Sequence, residues 1–195
     1  MDRIERALDG DINLVDYYEK TALMYASDYG HIESVKLLLD RGADPNIQNE
    51  FGYTALMYMD KSQGVRMEIV ELLLDKGSDP NIQNEFGYTA LMYASTKGHT
   101  GIVKLLLDRG ACPNVVSKEG KSALMWATDR GNTRIVKLIK EMTNLQHALQ
   151  NLALAKSMNS PECDSPLQCL DYDIMKEIMI CNRTYDHGVH LRMKG

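Results

Sequence analysis

The chain has 195 residues, 44% apolar and 25% charged, with 27 acidic against 22 basic side chains for a net charge of −5 at pH 7. That balance suits a folded chain rather than a disordered one, and without a basic stripe it points away from nucleic acid, whose binders gather positive charge on one face. No apolar run approaches the length of a membrane span, and the first residues, M-D-R-I-E-R-A-L-D-G-D, lack the apolar core of a secretory signal. An intracellular protein, cytoplasmic or nuclear and away from membranes, is therefore expected.

Taken from the start, I-E-R-A-L-D-G-D-I-N reads as the end of a truncated helical unit over residues 1–15, polar enough to close one end of an array. The array itself is written in repetition: D-P-N-I-Q-N-E-F-G-Y-T-A-L-M-Y stands verbatim at 44–58 and again at 79–93. Aligned on Thr21, Thr54, Thr89 and Ser122, four units begin near residues 16, 49, 84 and 117. A period of this length means stacked supersecondary units, each able to bury its apolar side only against a neighbour.

The first unit shows the pattern. Thr21 can cap a short helix carrying Ala22, Leu23, Met24, Tyr25 and Ala26, as Thr54, Thr89 and Ser122 can in their units. Gly30 ends that helix, and a second follows from about Ile32 to Asp40 with Val35, Leu37, Leu38 and Leu39 on an apolar face. After Gly42 comes A-D-P-N-I-Q-N-E-F-G-Y, whose proline, asparagines and glycine favour a projecting loop before the next cap. In the second unit M-D-K-S-Q-G-V-R-M-E is two residues longer between the helices than A-S-D-Y-G-H-I-E, so an irregular bulge is expected over Met59 to Met67. In the fourth, Lys140 and Glu141 replace the usual leucines, and a further helix from about Asn144 to Met158 sets Leu145, Leu149 and Leu152 on one face, able to cover the last unit.

These residues resemble the ankyrin repeat. Its pattern is met by Gly52, Thr54 and Leu56, by Gly30 with His31 and Gly98 with His99, and by G-A-D-P-N at Gly42 to Asn46. The resemblance implies an all-α solenoid of helix-turn-helix units with projecting loops over residues 1–142, followed by a C-terminal helical cap or tail over 143–195. Alanine at Ala22, Ala55, Ala90 and Ala123 replaces the family's proline without cost to a first helical turn. Methionine at Met24, Met57, Met92 and Met125 replaces its histidine, so polarizable packing must stand in for hydrogen bonds between units. The resemblance also implies a structural hydrogen bond for His31 and His99. The near-verbatim repeats are similar in wording to ankyrin proteins of giant viruses, where the setting would be a host cell.

No nucleophile, base and acid set, phosphate loop or metal motif stands in the repeats, so neither catalysis nor a cofactor is expected. The four cysteines, Cys112, Cys163, Cys169 and Cys181, do not have the spacing of a disulfide framework and are expected as free thiols. With His187 and His190 the last three match no standard zinc signature, and no metal is expected. Tyr25, Tyr58, Tyr93 and Trp126 recur at one helical position and are expected to pack between units. Tyr17, Tyr18, Phe51, Tyr53, Phe86 and Tyr88 fall in the loops, where ankyrin proteins commonly contact partners. Beside them the resemblance places Asp28, Tyr29, Lys61, Lys97, Asp129 and Arg130 on a concave face. Aromatics ringed by mixed charge are a recognition composition, so the expected partner is a protein, met by a chain that is a monomer by itself.

After the linker N-S-P-E-C-D-S-P comes an amphipathic segment with Leu170, Ile174 and Ile178 on one face. It resembles the start of an F-box, with Asp171 in place of the family's proline. Poxvirus ankyrin proteins end in shortened F-boxes that recruit a cullin ubiquitin ligase, which makes ligase components the alternative partner. A helix that only caps the solenoid is the other reading of the same residues.

Overall fold

A computed structural model describes residues 10–58 and 63–158, with side chains placed at 10–58 and 67–145. Among the described residues there are seven helices and no named strand: α1 (Ala22–Tyr29), α2 (Ile32–Asp40), α3 (Gln63–Asp75), α4 (Ala90–Lys97), α5 (Thr100–Asp108), α6 (Ala123–Asp129) and α7 (Thr133–Met158), with a 3-10 turn at Ala55–Met57. The short helices α1, α4 and α6 start under caps: the hydroxyls of Thr21, Thr89 and Ser122 accept from the backbone N–H of Met24, Met92 and Met125 at 3.2, 3.4 and 3.4 Å. Each cap satisfies one N–H that a helix start leaves unpaired. The helix ends close in the same way, with His31 N–H on Ala26 O at 2.9 Å and His99 N–H on Ala94 O at 3.0 Å. Neither His31 nor His99 caps its following helix through the side chain.

The elements sort into two layers. α1, the 3-10 turn, α4 and α6 form the inner row, α2, α3, α5 and α7 the outer row, and each element touches its own partner and its neighbours along the row. The core is the seam between the rows, where Leu23, Val35, Leu38, Leu56, Leu73, Leu91, Val103, Leu106, Ile135 and Ile139 are fully buried. At about 1.5 to 3 kcal/mol per fully buried large side chain, this seam holds together helices too short to stand alone. Methionine packing does replace the family's histidine, since Met24, Met57 and Met92 lie in that seam.

Four expectations are corrected here. Unit two has no first α-helix, and Thr54 makes no side-chain cap. In α1 and α4 the last inward position belongs to the fully buried alanines Ala26 and Ala94, whereas the second unit has the larger Met59 in sequence at that position, outside the described residues. The expected bulge is also shorter, because α3 is already helical from Gln63; residues 59–62 lie outside the described residues. The helix expected from Asn144 is the continuation of α7, whose 26 residues contain neither proline nor glycine to break it. Leu145 on it is 54% exposed. Finally, Cys112 is buried and disulfide-bonded rather than a free thiol.

Candidate functional site

The loops between units are hairpins stacked edge to edge. In the first three, an Asx residue organises the turn: Asn49 Oδ1 accepts from Phe51 N and Tyr53 N at 3.1 and 2.8 Å, and Asn84 Oδ1 from Phe86 N and Tyr88 N at 3.0 and 2.9 Å. Asp16 does the same for Tyr18 N and Lys20 N. Side-chain amides then tie loop to loop. Gln48 Nε2 donates to Gly52 O at 2.8 Å and to Gln83 O at 3.1 Å, and Gln83 repeats this on Gly87 O and Val116 O. Backbone bonds complete the lattice, with Glu85 N on Phe51 O at 3.1 Å and Lys118 N on Phe86 O at 2.9 Å.

This approach is close enough to require glycine. Gly52 has φ 76°, and a Cβ there would lie 2.8 Å from Glu85 N; Gly87 has φ 77°, and its Cβ would lie 2.8 Å from Lys118 N. The equivalent residue of the first loop is Glu19, left-handed at φ 55°. Its side chain stands where the next loop should close in, and the corresponding bond, Glu50 N to Tyr18 O, stretches to 3.5 Å. The lattice also fixes which residues face outward. The two corner positions of successive turns are Tyr17 and Tyr18, Glu50 and Phe51, Glu85 and Phe86, Lys118 and Glu119. Tyr18, Phe51 and Phe86 occupy the same corner and are 53%, 48% and 51% exposed.

Behind the corners runs a second aromatic row. Tyr53 lies between Tyr58 and Tyr93 with ring centres 5.9 and 5.6 Å away, and Tyr88 between Tyr93 and Trp126 at 5.5 Å from each. Lysine takes the same place at both ends: Lys20 Nζ is 5.3 Å from the Tyr25 ring centre and 4.8 Å from that of Tyr58, and Lys121 Nζ is 4.5 Å from that of Trp126. Cation over ring at this distance is attractive, as are the tilted ring pairs. Hydroxyls join in: Tyr93 donates to Tyr53 at 2.7 Å, Asn84 Nδ2 to Tyr93 at 3.1 Å, and Tyr25 to Asp16 Oδ2 at 2.6 Å. Burial pushes the Tyr58 hydroxyl well above the ordinary tyrosine range, helped by the Asp28 carboxylate. Burial does the same to Tyr93, helped by its bond with Tyr53, and to Tyr88, helped by Glu119.

The structure thus divides the expected site. Tyr17, Tyr18, Phe51 and Phe86 project. Tyr53 and Tyr88 do not; they are half-buried between the helix rings, because their hydroxyls and faces find partners within the stack. On the concave side Tyr29 is exposed and stacks on Tyr25 at 6.4 Å, Asp28 is half-buried, Lys97 and Arg130 are exposed, and Asp129 is held by Lys121 at 2.7 Å. Lys61, like Leu170, Ile174 and Ile178, lies outside the described residues. Glu50 and Glu85, outside the expected set, stand exposed beside the two phenylalanines, a placement the verbatim segment carries twice. The stack was also readable in register, since Lys20, Tyr53, Tyr88 and Lys121 share one repeat position.

Chemically the corners offer a row of rings and carboxylates on turns tied to one another by amide and backbone hydrogen bonds. Family models of ankyrin repeats match residues 4–58, described as many copies, and residues 56–151, described as three copies. No curated protein matches the chain.

Proposed function

The chain belongs to the ankyrin-repeat family, whose repeats generally mediate protein–protein interaction, and from that premise we propose that it is a non-enzymatic scaffold gripping one protein partner through its loop corners and the adjoining concave face. The observation that carries this is the equal exposure of Tyr18, Phe51 and Phe86 at one corner of three successive loops. A row of half-exposed rings marks an interaction surface. Held by backbone and amide bonds, it binds with little ordering cost, which favours affinity. Tyr29, Lys97 and Arg130 supply the polar rim beside it.

Replacing Tyr18, Phe51 and Phe86 together with serine tests the reading. Proteins retained by the immobilised wild-type chain should be lost from the variant while its melting temperature stays within a few degrees, because none of the three rings is in the core. Retention of the same proteins would sink it. Tyr53 and Tyr88 are left intact, since their loss would disturb the stack itself. A second reading, an adaptor that delivers the held partner to a cullin ubiquitin ligase, is supported by the F-box-like wording at Leu170, Ile174 and Ile178. Capture with and without residues 160–195 decides it: ligase components must disappear on truncation.

A further inference from the structure

We infer that the loop-corner surface is built for a partner segment rich in arginine, an inference that rests on the scaffold reading above. Alternation of ring and carboxylate carries it. Glu50 precedes Phe51 and Glu85 precedes Phe86 on adjoining corners of identical turns, and Glu19 follows Tyr17 and Tyr18 in the first loop. All these carboxylates are exposed. None of the three forms an ion pair among the described residues, whereas two acids at the ends of the outer helices are matched, Asp40 by Lys76 at 2.9 Å and Asp75 by Arg109 at 2.6 Å. The corners therefore keep unmatched negative charge beside apolar rings.

Guanidinium answers both features. It bonds a carboxylate through two parallel N–H groups and stacks its plane on a ring, which an ammonium cannot do as well. Nucleic acid would meet like charge here. The spacing fits a chain as well. One strand step lies within each hairpin, Asn49 N to Tyr53 O, and one between hairpins, Glu85 N to Phe51 O. Two strand steps make a loop period of about 10 Å, the rise of roughly three residues in an extended segment.

The test uses the full chain and three synthetic 16-residue peptides with leucine and alanine at fixed positions and arginine, lysine or glutamate at every third. Fluorescence anisotropy at low salt should rank arginine first, lysine several-fold weaker and glutamate without binding. Glu50→Gln with Glu85→Gln should weaken the arginine peptide roughly tenfold, as two lost rim charges allow. Glu68→Gln with Glu71→Gln, two exposed acids on α3, should leave it unchanged. Equal binding of the arginine and glutamate peptides, no binding of either, or equal loss in the two glutamine pairs would overturn the inference. The two readings fail separately. If serine at Tyr18, Phe51 and Phe86 releases captured proteins while glutamine at Glu50 and Glu85 does not, the scaffold stands and the arginine preference falls; if the serine variant releases nothing, the aromatic anchor itself falls.

Discussion

At Gly87 a missing side chain sets the distance between two loops. Alanine there would combine a left-handed backbone with a Cβ 2.8 Å from Lys118 N, costing roughly 2 to 4 kcal/mol between the conformational and overpacking terms. Gly120 has a similar φ of 74° but nothing within 4 Å of the Cβ position, so alanine at 120 should cost only about 1 kcal/mol. Glu19 is the converse: glycine at 19 should stabilise by about 1 kcal/mol, because it removes a side chain from a left-handed residue. Urea unfolding of the three variants checks the order. Equal losses for Gly87→Ala and Gly120→Ala would show that loop contact is not what selects glycine.

Between elements, the same reasoning applies to the asparagines that clamp one unit's loop to the next unit's helix end. Asn81 is buried; its Nδ2 donates to Gly110 O at 3.0 Å and its Oδ1 accepts from the buried Cys112 N at 2.7 Å. Asn46 makes the equivalent pair with Gly77 O and Asp79 N. Asn81→Ala leaves two backbone groups unsatisfied and should cost roughly 2 to 4 kcal/mol by chemical denaturation. Asn114 holds the same repeat position with an exposed side chain, and its alanine variant should stay within about 0.5 kcal/mol of wild type. One motif thus gives two outcomes, decided at the end of the array, where α7 runs on past the position of Gly77 and Gly110 and offers no helix-end turn to bond. Met125 shows the same end effect, 51% exposed where Met24 and Met92 are 1%.

Over the whole molecule the tyrosine stack joins units that otherwise touch only neighbours, and it confers a pH signature. Tyr58, Tyr88 and Tyr93 have hydroxyls raised above the ordinary 10.0. A group whose pKa is raised on folding contributes stability that is complete below the unfolded value and lost as pH rises toward the folded one. The melting temperature should therefore depend little on these groups from pH 7 to about 9.5 and fall above pH 10, with a shallower fall when Tyr58 and Tyr93 are both phenylalanine. An unchanged alkaline slope in the double variant would show that these hydroxyls do not drive it. The outer ion pairs are exposed, and Asp40, held low by its bond and charge contact with Lys76, belongs to the class that salt screens.

The repeat, the caps at Thr21, Thr89 and Ser122, the helix ends and the buried methionines were legible in the sequence because each depends on residues within one unit and on a period any reader can align. So were the projecting Phe51 and Phe86, whose turns are fixed by their own asparagine and glycine. Contacts between units decided the rest. Tyr53 and Tyr88 read as loop residues, yet rings one unit away draw them inward. Thr54 reads as a cap, yet only a 3-10 turn follows it and its side chain makes no cap bond. Local sequence determined the unit and its turns; the tertiary structure decided which side chains the stack keeps for itself and which it leaves for a partner, because burial in a repeat array depends on the neighbour and not on the residue alone.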